Sequence, residues 1–446
     1  MKILILLLVS IFLVNAKEVF IPKYIYKYLN EKNPFYYQEI GKQYIAKGRE
    51  TFAKGSLDTQ LNIYQDHKHY PTTTGAYQTV EIFKPIENGL EFSMAYRRAE
   101  GTQEFNNIKT GNNGEIISSM KVPLLEVLND ISKNKVNIKS AKLGTEQSEY
   151  QSKYNLLNLY FNITKIYYQM LLQKQLAQTQ KELIHKAKKT HAFISKQVEV
   201  GELPTVANIE IEQLILNREQ QYIYEKNNFD MLQNIFLQYL GIDKISFDKM
   251  YRLPILEMKK NELPILSEAI NLAISNRPDL KIIDVELEKL ALEKKYNDLG
   301  KYPKLDMKLS SVYDPIHKEG YKVSINLNFP FEQRKYSGTD EVLQKKDLMV
   351  QSKKLKFLRE LETDILNLYQ KIKTKKIGIK LLKNELLLVQ KLEWVERRKL
   401  YEGLGTLMFL NQREIATLKV EQKLLKDYYE LETYFLSLNY LLGKLI

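Results

Sequence analysis

In YKVSINLNFPFE, residues 321–332, apolar and polar side chains alternate. The apolar side chains occupy every second position, at Tyr321, Val323, Ile325, Leu327, Phe329 and Phe331. Polar side chains lie between them, at Lys322, Ser324, Asn326 and Asn328. Successive side chains of a strand point to opposite faces, so the pattern predicts a strand over 321–331 with one apolar and one polar face. The pattern of most of the surrounding chain predicts long, charged helices. It is therefore not evident from the neighbouring sequence what covers the apolar face of this strand.

The composition indicates a folded chain of 446 residues, of which 44% are hydrophobic. Its formal net charge of +13 would suit nucleic acid or an anionic membrane surface as a partner. The lysines are nevertheless spread among glutamates, as in KKLKFLRELE (353–362), and no basic arm with interleaved aromatic residues occurs. Solvated helix faces therefore explain the charge, and we expect no nucleic-acid partner.

The N-terminal stretch MKILILLLVSIFLVNA, residues 1–16, predicts a cleavable secretory signal peptide, with a lysine, an apolar run and a small-residue ending. The chain has no cysteine, which excludes disulfide bonds, a thiol nucleophile and a lipid-modified N-terminal cysteine. We therefore expect an exported protein that is not a lipoprotein. After the signal no apolar run has the length of a spanning helix, so a membrane-embedded form would have to be a closed β-barrel.

Two long segments predict coiled-coil helices. Residues 145–200 contain neither glycine nor proline, and residues 339–402 contain only Gly378. In the second segment a 4-3 spacing runs through Leu361, Ile365, Leu368, Ile372, Lys375, Ile379, Leu382, Leu386 and Val389. In the first segment it runs through Leu156, Leu159, Ile163, Ile166 and Met170. This spacing is typical of helices that pack along their length, and such a helix would measure on the order of 90 Å.

The chain repeats itself at an interval of 202 residues, which relates Tyr167, Gly201 and Gly241 to Tyr369, Gly403 and Gly443. The flanking residues agree, since VGELPT matches EGLGT and QYLG matches YLLG. We interpret this as an internal duplication. It predicts a first repeat over 17–241, an equatorial linker over 242–262 and a second repeat over 263–446, with coiled-coil hairpins over about 126–240 and about 338–443.

Strand candidates precede the long helix of each repeat. They are 57–66, 77–83, 89–97 and 115–124 in the first repeat (about 57–124), and 304–313 and 321–331 in the second (about 304–331). Leu57 to Pro123 spans 66 residues, whereas the matching Leu305 to Pro330 spans 25. We expect the surplus of about forty residues to form an elaborated surface hairpin that contains GTQEFNNIKTGNNGE (101–115). The sequence leaves open which strands of the first repeat enter a barrel.

Two interpretations of the apolar strand face compete. In the ordinary one, the strands pack on a helix of their own chain. However, the strands are few, they cluster at one end of each repeat, and their hairpin turns are polar. A transmembrane barrel requires strands of about ten residues with apolar side chains outward and polar side chains inward. We therefore interpret the apolar face as lipid-facing.

Together these features resemble the TolC family of outer membrane efflux proteins. The resemblance rests on the signal peptide, the duplicated unit, AISNRPDL (273–280), NFPF (328–331) and the paired glycine turns, in this order. It implies a mainly α fold with a β-barrel portion. In such a homotrimer each protomer gives four strands to a twelve-stranded transmembrane barrel and long antiparallel coiled-coil helices to a periplasmic tunnel. It also implies a passive exit duct of a tripartite efflux pump or a type I secretion system, with no catalysis and no cofactor.

The resemblance assigns roles to particular residues. The lipid-facing side chains would be Val323, Ile325, Leu327 and Phe329. The turns that join the long helices would contact a periplasmic adaptor of an inner-membrane RND or ABC-type transporter. These tips are Val200, Gly201, Glu202, Leu203, Pro204 and Thr205 in the first repeat, and Glu402, Gly403, Leu404, Gly405 and Thr406 in the second. The residues themselves suit helix ends, because glycine tolerates the positive φ of a helix C-cap and proline suits a helix start.

The chain departs from the family at the entrance constriction. Relatives carry aspartates at the sixth and ninth positions after the second tip glycine, where this chain has Phe409 and Gln412. Phe409 would supply an apolar gate that closes by dewetting, and the nearest acids, Glu210, Glu212 and Glu414, are the alternative candidates. A core position for Phe409 between helices is equally compatible with the sequence.

The sequence shows no enzymatic or metal site. His67 and His69 lack a third ligand that can be assigned, and no Ser-His-Asp spacing, HExxH motif or phosphate loop occurs. One rival to the channel is a secreted or periplasmic coiled-coil scaffold or adhesin without a pore, whose strands form a soluble cap. A weaker rival is an exported enzyme. The channel is favoured because both halves carry alternating strands.

Overall fold

The computed structural model describes residues 17–101, 110, 113–257 and 262–445. The predicted signal peptide (1–16) and most of the segment between 102 and 112 lie outside the described residues. The chain divides into two compact units. The helical unit comprises residues up to 39, 153–277 and 358 onward, and the sheet unit comprises 40–152 and 278–357. Each unit contains segments of both predicted repeats.

The helices and strands have the following bounds. The helices are α1 (Ile25–Tyr28), α2 (Pro34–Lys54), α3 (Leu124–Leu128), α4 (Lys133–Glu199), α5 (Val206–Leu240), α6 (Lys244–Met250), α7 (Leu266–Asn276), α8 (Pro278–Asn297), α9 (Arg334–Tyr401) and α10 (Leu407–Leu441). The strands are β1 (Glu18–Val19), β2 (Gln60–His69), β3 (Thr74–Pro85), β4 (Glu91–Gly101), β5 (Glu115–Pro123), β6 (Tyr251–Arg252), β7 (Lys304–Asp314) and β8 (Lys318–Asn328). Within the described residues, none of the helices combines the length and the apolar character needed to cross a membrane.

An aromatic cluster forms the core of the helical unit. Phe20 is fully buried, and its ring contacts those of Tyr167, Phe236 and Phe247. The segment that carries Phe20 is also held by hydrogen bonds, because β1 pairs in parallel with β6 and the Tyr167 hydroxyl donates to the Phe20 carbonyl at 2.7 Å. Burial of one such ring contributes about 1.5–3 kcal/mol. The N-terminal segment is therefore an integral part of this core.

The coiled-coil spacing is confirmed for α9, where Leu361, Ile365, Ile372, Ile379 and Leu382 are buried. The interrupting Lys375 is partly buried, and its ammonium lies 2.9 Å from Asp427 and 2.7 Å from Glu430 of α10.

In α4 the buried stripe is wider than the predicted seam. Ile163 and Met170 of the seam are buried and Leu156, Leu159 and Ile166 are partly buried, and Leu157 and Tyr160 outside it are buried as well. This helix is buried over a wide arc because the N-terminal segment, α5 and α10 pack around it.

The glycines of the predicted repeats share one backbone geometry. Gly201, Gly241, Gly403 and Gly443 all have φ between 65° and 79°. At Gly201 the backbone N–H donates to Val198, and the next N–H, of Glu202, reaches back to Gln197 at 2.8 Å. The same pair of hydrogen bonds follows each of the other three glycines. This is the Schellman ending, which satisfies the last carbonyl groups of a helix and requires a left-handed residue.

Substitution of the tip glycine tests this requirement. A Cβ built on Gly403 meets no neighbouring atom within 4 Å, so Gly403→Ala should cost about 1–2 kcal/mol through its left-handed backbone alone. Gly378, inside α9, is the matched control, because a Cβ there has ordinary contacts and helical φ. Gly378→Ala should stabilise by up to about 1 kcal/mol. Thermal unfolding midpoints in detergent should therefore move in opposite directions, and a common direction would contradict the assignment.

The sheet unit contains a six-stranded antiparallel sheet, in the order β2-β3-β4-β5-β7-β8. The pairing of β5 with β7 joins the strands of the two predicted repeats. The helices of this unit pack on one another, since Ile283 and Leu290 of α8 form a buried cluster with Leu343 and Val350 of α9.

The strand predictions are confirmed in position and corrected in extent. The strand predicted over 321–331 runs from Lys318 to Asn328, so Phe329 and Phe331 follow it. Pro330 has no N–H for a ladder, which explains why pairing ends there. The sheet has six strands, whereas the resemblance implies four per protomer. The surplus of the first repeat is therefore not only a surface hairpin, because it supplies additional strands to the same sheet.

Candidate functional site

The apolar face of the sheet is exposed. Val323, Ile325 and Leu327 of β8 are 54%, 69% and 64% accessible, and Phe329 beyond the strand is 36% accessible. Among the described residues, no helix covers these side chains to the extent that a soluble sheet would require. The alternative in which they pack beneath a helix of their own subunit is therefore wrong.

The strand register extends this face across the whole sheet. Ile63 pairs with Val80, Val80 with Tyr96, Tyr96 with Ile116, and Ile116 with Tyr313. A second row on the same face continues to β8, where Leu309 pairs with Val323. Directly paired residues point to the same side of a sheet. The exposed apolar side chains on this face are Leu61, Ile63, Val80, Ile82, Phe92, Met94, Tyr96, Ile116, Leu309, Tyr313, Tyr321, Val323, Ile325 and Leu327. We call this surface the apolar band.

The opposite face of the sheet is polar, and it is shielded in the central strands, whereas polar side chains of the edge strands, such as Asn62 and Asn326, are exposed. Ser119 and Ser310 are each only 8% accessible, and their hydroxyl oxygens share a hydrogen bond of 2.9 Å. Lys121 forms an ion pair with Glu91 at 3.1 Å across β4 and β5, and Arg97 pairs with Glu115 on the same face. Across the central strands β4, β5 and β7 the sheet thus exposes its apolar side and shelters most of its polar side, which is the reverse of a sheet in a water-soluble protein.

The two predicted tips lie next to each other in the helical unit. Residues 200–205 form the turn between α4 and α5, and residues 402–406 form the turn between α9 and α10. Leu203 of the first turn and Leu407, which follows the second, pack on the same cluster of Ile194 and Ile211. Val200 and Leu404 remain exposed at the two turns.

The second tip has a tighter geometry than the first. A Cβ built on Gly405 would lie 2.9 Å from the backbone nitrogen of Leu400. Thr406 caps α10, because its hydroxyl accepts from the Phe409 N–H at 3.4 Å. The side chain of Thr205, the residue before α5, makes no such cap. The start of α10 is therefore fixed by a side-chain hydrogen bond that the start of α5 lacks.

The candidate gate residues fall into two groups. Phe409 is 50% accessible, so it is not a core residue between helices of its own chain, and Glu210 and Glu212 are exposed on α5. Glu212 lies 3.6 Å from the imidazole of His191. Glu414 differs, because it is only 3% accessible and ion-paired within its own chain. A side chain buried in this way does not line a pore in this structure, which corrects its assignment as a gate candidate.

Glu414 belongs to a charge network that links four helices. Its carboxylate accepts from Arg218 of α5 at 2.6 Å and also pairs with Arg397 of α9. Arg397 lies 3.0 Å from Glu393, which in turn pairs with Lys186 of α4 at 2.8 Å. We call these five residues the charge network. Arg218 is 5% accessible and completes its hydrogen bonds with the Leu183 carbonyl and the Asn411 side chain, at 3.1 and 3.0 Å.

The ionised forms of Glu393 and Arg397 are favoured by their partners in the network. Burial alone would raise the pKa of Glu393, but Lys186, Thr417 and Arg397 outweigh it, and the pKa lies below its usual value. Burial would likewise lower the pKa of Arg397, whereas Glu414 and Glu393 raise it above its usual value. The stabilisation from Glu393 is thus present at neutral pH and is lost only as the pH falls through its lowered pKa.

The sequence contains a spacing pattern that indicates this charge network, although the network was not among the predicted sites. Ile211, Ile215 and Arg218 follow one another at 4-3 spacing, as do Leu410, Glu414 and Thr417, and all six are buried. Charged residues at such core positions are rarely buried unless they are paired. An arginine or a glutamate on the apolar stripe of a helix therefore indicates a buried partner of opposite charge.

Removal of the central carboxylate tests the network. Glu414→Gln should destabilise by about 3–5 kcal/mol, because it leaves the buried Arg218 guanidinium without a counter-charge. The matched control is Glu402→Gln, which breaks the exposed pair with Arg398 at the tip and should cost less than about 1 kcal/mol. Denaturant unfolding of the two variants in detergent measures both effects. Equal losses would contradict the energetic role of burial.

The fold is that of the TolC-like outer membrane channels, with long paired helices and a sheet portion, and the resemblance drawn from the sequence is confirmed at this level. The chain is similar to CusC, a protein that forms a transmembrane channel, with 12% identity and a TM-score of 0.69 over 96% of this chain and 93% of that one. It is similar to the outer membrane protein VceC from Vibrio cholerae, with 11% identity and a TM-score of 0.68 over 95% and 96%. It is also similar to the open-state MtrE outer membrane channel of Neisseria gonorrhoeae, with 12% identity and a TM-score of 0.69 over 95% and 88%. No family model and no curated protein matches the sequence.

Proposed function

We propose that this chain is the outer-membrane exit duct of an efflux or secretion machine. It acts as a homotrimer that lies in the outer membrane, extends into the periplasm and conducts substrates passively to the exterior. The observation that carries the proposal is the apolar band, which the sheet exposes while it shelters a polar face. The similar solved structures are outer membrane channels, which supports the same function.

The apolar band favours lipid over water as its solvent. Burial of one leucine- or isoleucine-sized side chain is worth about 1.5–3 kcal/mol. The band presents many such side chains in adjacent rows, and hydrocarbon contact would satisfy all of them together. A secreted scaffold or adhesin, the alternative function, would leave this surface in water or need another protein to cover it.

The adjacent tips are the proposed contact with a periplasmic adaptor, which in turn joins an inner-membrane transporter of the RND or ABC type. Both turns expose apolar side chains, Val200 and Leu404, next to the charged Glu202 and Glu402. Such a mixture of apolar and charged groups is typical of protein contact surfaces. A tripartite efflux pump and a type I secretion system both require this contact.

Membrane insertion and conductance test the channel. Ile325→Arg places a charge in the apolar band and should weaken the membrane-embedded trimer by about 2–4 kcal/mol. Its neighbour on β8 gives the control, because Asn326→Arg places the same charge on the polar face and should preserve the trimer while changing ion conductance. Heat-modifiable migration and planar-bilayer recordings measure the two effects. A freely soluble monomer without conductance would overturn the proposal.

Site-specific cross-linking tests the tips. A photo-reactive residue in place of Glu202 or Leu404 should capture an adaptor in cells, because both positions are exposed at the turns. The control position is Lys373, which is exposed in the interior of α9. Capture that is equal at Lys373 and at the tips would contradict the assignment.

A further inference from the structure

We propose that all six strands of the sheet cross the membrane, so that β8 of one copy pairs with β2 of the next and a trimer closes an eighteen-stranded barrel. The inference rests on the proposed function. It departs from the twelve-stranded barrel that the family resemblance implies. The partner of each sheet edge is a second copy of this chain.

The first line of support is the extent of the apolar band. Strands β2, β3 and β4 carry exposed apolar side chains in the same rows as β7 and β8, among them Ile63, Val80, Ile82 and Met94. A surface hairpin in water would have no reason to continue this pattern. β2 and β3, the two strands beyond a barrel edge at β4, therefore have the same lipid-facing chemistry as the other four strands.

The second line of support is the continuity of the ladder. β2 pairs with β3 over the whole range from Gln60 to His69, and β3 pairs with β4 from Gly75 to Pro85. The strands contain 9 to 12 residues, which is close to the length of about 9–11 that a tilted transmembrane strand needs. All four described strands of the first repeat are hydrogen-bonded to their neighbours in the sheet.

The third line of support concerns the two edges. β2 and β8 each have one neighbour in this sheet, so their outer backbone groups have no strand partner in the described residues. In hydrocarbon each such unsatisfied group costs several kcal/mol, which only closure of the sheet removes. Six antiparallel strands place β2 and β8 in opposite directions. Pairing of β8 with β2 of a second copy is therefore antiparallel, like every other pair in the sheet.

The consequence is a wider barrel. The diameter of a barrel grows roughly linearly with its number of strands, so eighteen strands give about one and a half times the diameter of twelve.

Disulfide cross-linking tests the edge contact, and the absence of native cysteine makes the background clean. Asn62→Cys on β2 is combined in turn with Lys322→Cys, Ser324→Cys or Asn326→Cys on β8. Paired strand residues have the Cα separations that a disulfide requires, so one combination should convert most of the protein into linked dimers and trimers. The control replaces Asn62→Cys by Ser93→Cys on β4. Linkage through β4 instead of β2 would overturn the proposal, because β4 would then be the edge of the barrel.

Charge substitutions test the membrane position of the additional strands. Ile63→Arg on β2 and Val80→Arg on β3 should reduce the membrane-embedded trimer as much as Ile325→Arg does. Asn62→Arg and Thr79→Arg, on the polar face of the same strands, should preserve it. If Ile63→Arg and Val80→Arg are tolerated while Ile325→Arg is not, the six-strand barrel is wrong and the channel function stands. If neither a trimer nor conductance is found in the unmodified protein, the proposed function itself fails.

Discussion

The sheet exposes a continuous apolar band, and the proposed function depends on hydrocarbon as the surroundings of this band. Ile325 and Ile63 lie in the same apolar band, on the two edge strands of the sheet. On the opposite face, the hydroxyl groups of Ser119 and Ser310 are buried and share a hydrogen bond. The rest of the proposed architecture follows from this constraint. In hydrocarbon the backbone must satisfy its own hydrogen bonds, which is the reason for our proposal that the sheet closes on copies of itself.

The sequence predicted the positions of the strands because the period-2 alternation is strong there. The exact first and last residues of the strands were not predicted. β8 begins at Lys318, where the alternation is not yet visible, because a tight turn closes the hairpin and Asp314 accepts from the Ile316 N–H at 2.8 Å. The six strand candidates of the sequence correspond to the six strands of the sheet. Which of them pair in one sheet could not be predicted, because strand pairing leaves no local signal.

The ends of the long helices were predicted from the sequence, whereas the charge network was not. The turns at 200–205 and 402–406 have the predicted bounds because a glycine that must take a positive φ is a local requirement. Arg218 and Glu414 lie 196 residues apart, and although each falls on the apolar stripe of its helix, that position does not identify its partner. Only the packing of four helices brings them together. Local chemistry was thus predictable, while contacts between distant segments were not.

Lys375 has a consequence for the alignment of α9 and α10. Its ammonium pairs with Asp427 and Glu430. A slip of one heptad in either direction would bring it opposite Val420 and Lys423, or opposite Tyr434 and Ser437. Neither alternative offers a carboxylate, so a slipped pair of helices would carry an uncompensated charge in its seam. A single polar residue at a seam position is known to specify helix register at some cost in stability. The one lysine that interrupts the coiled-coil pattern thereby selects a single alignment.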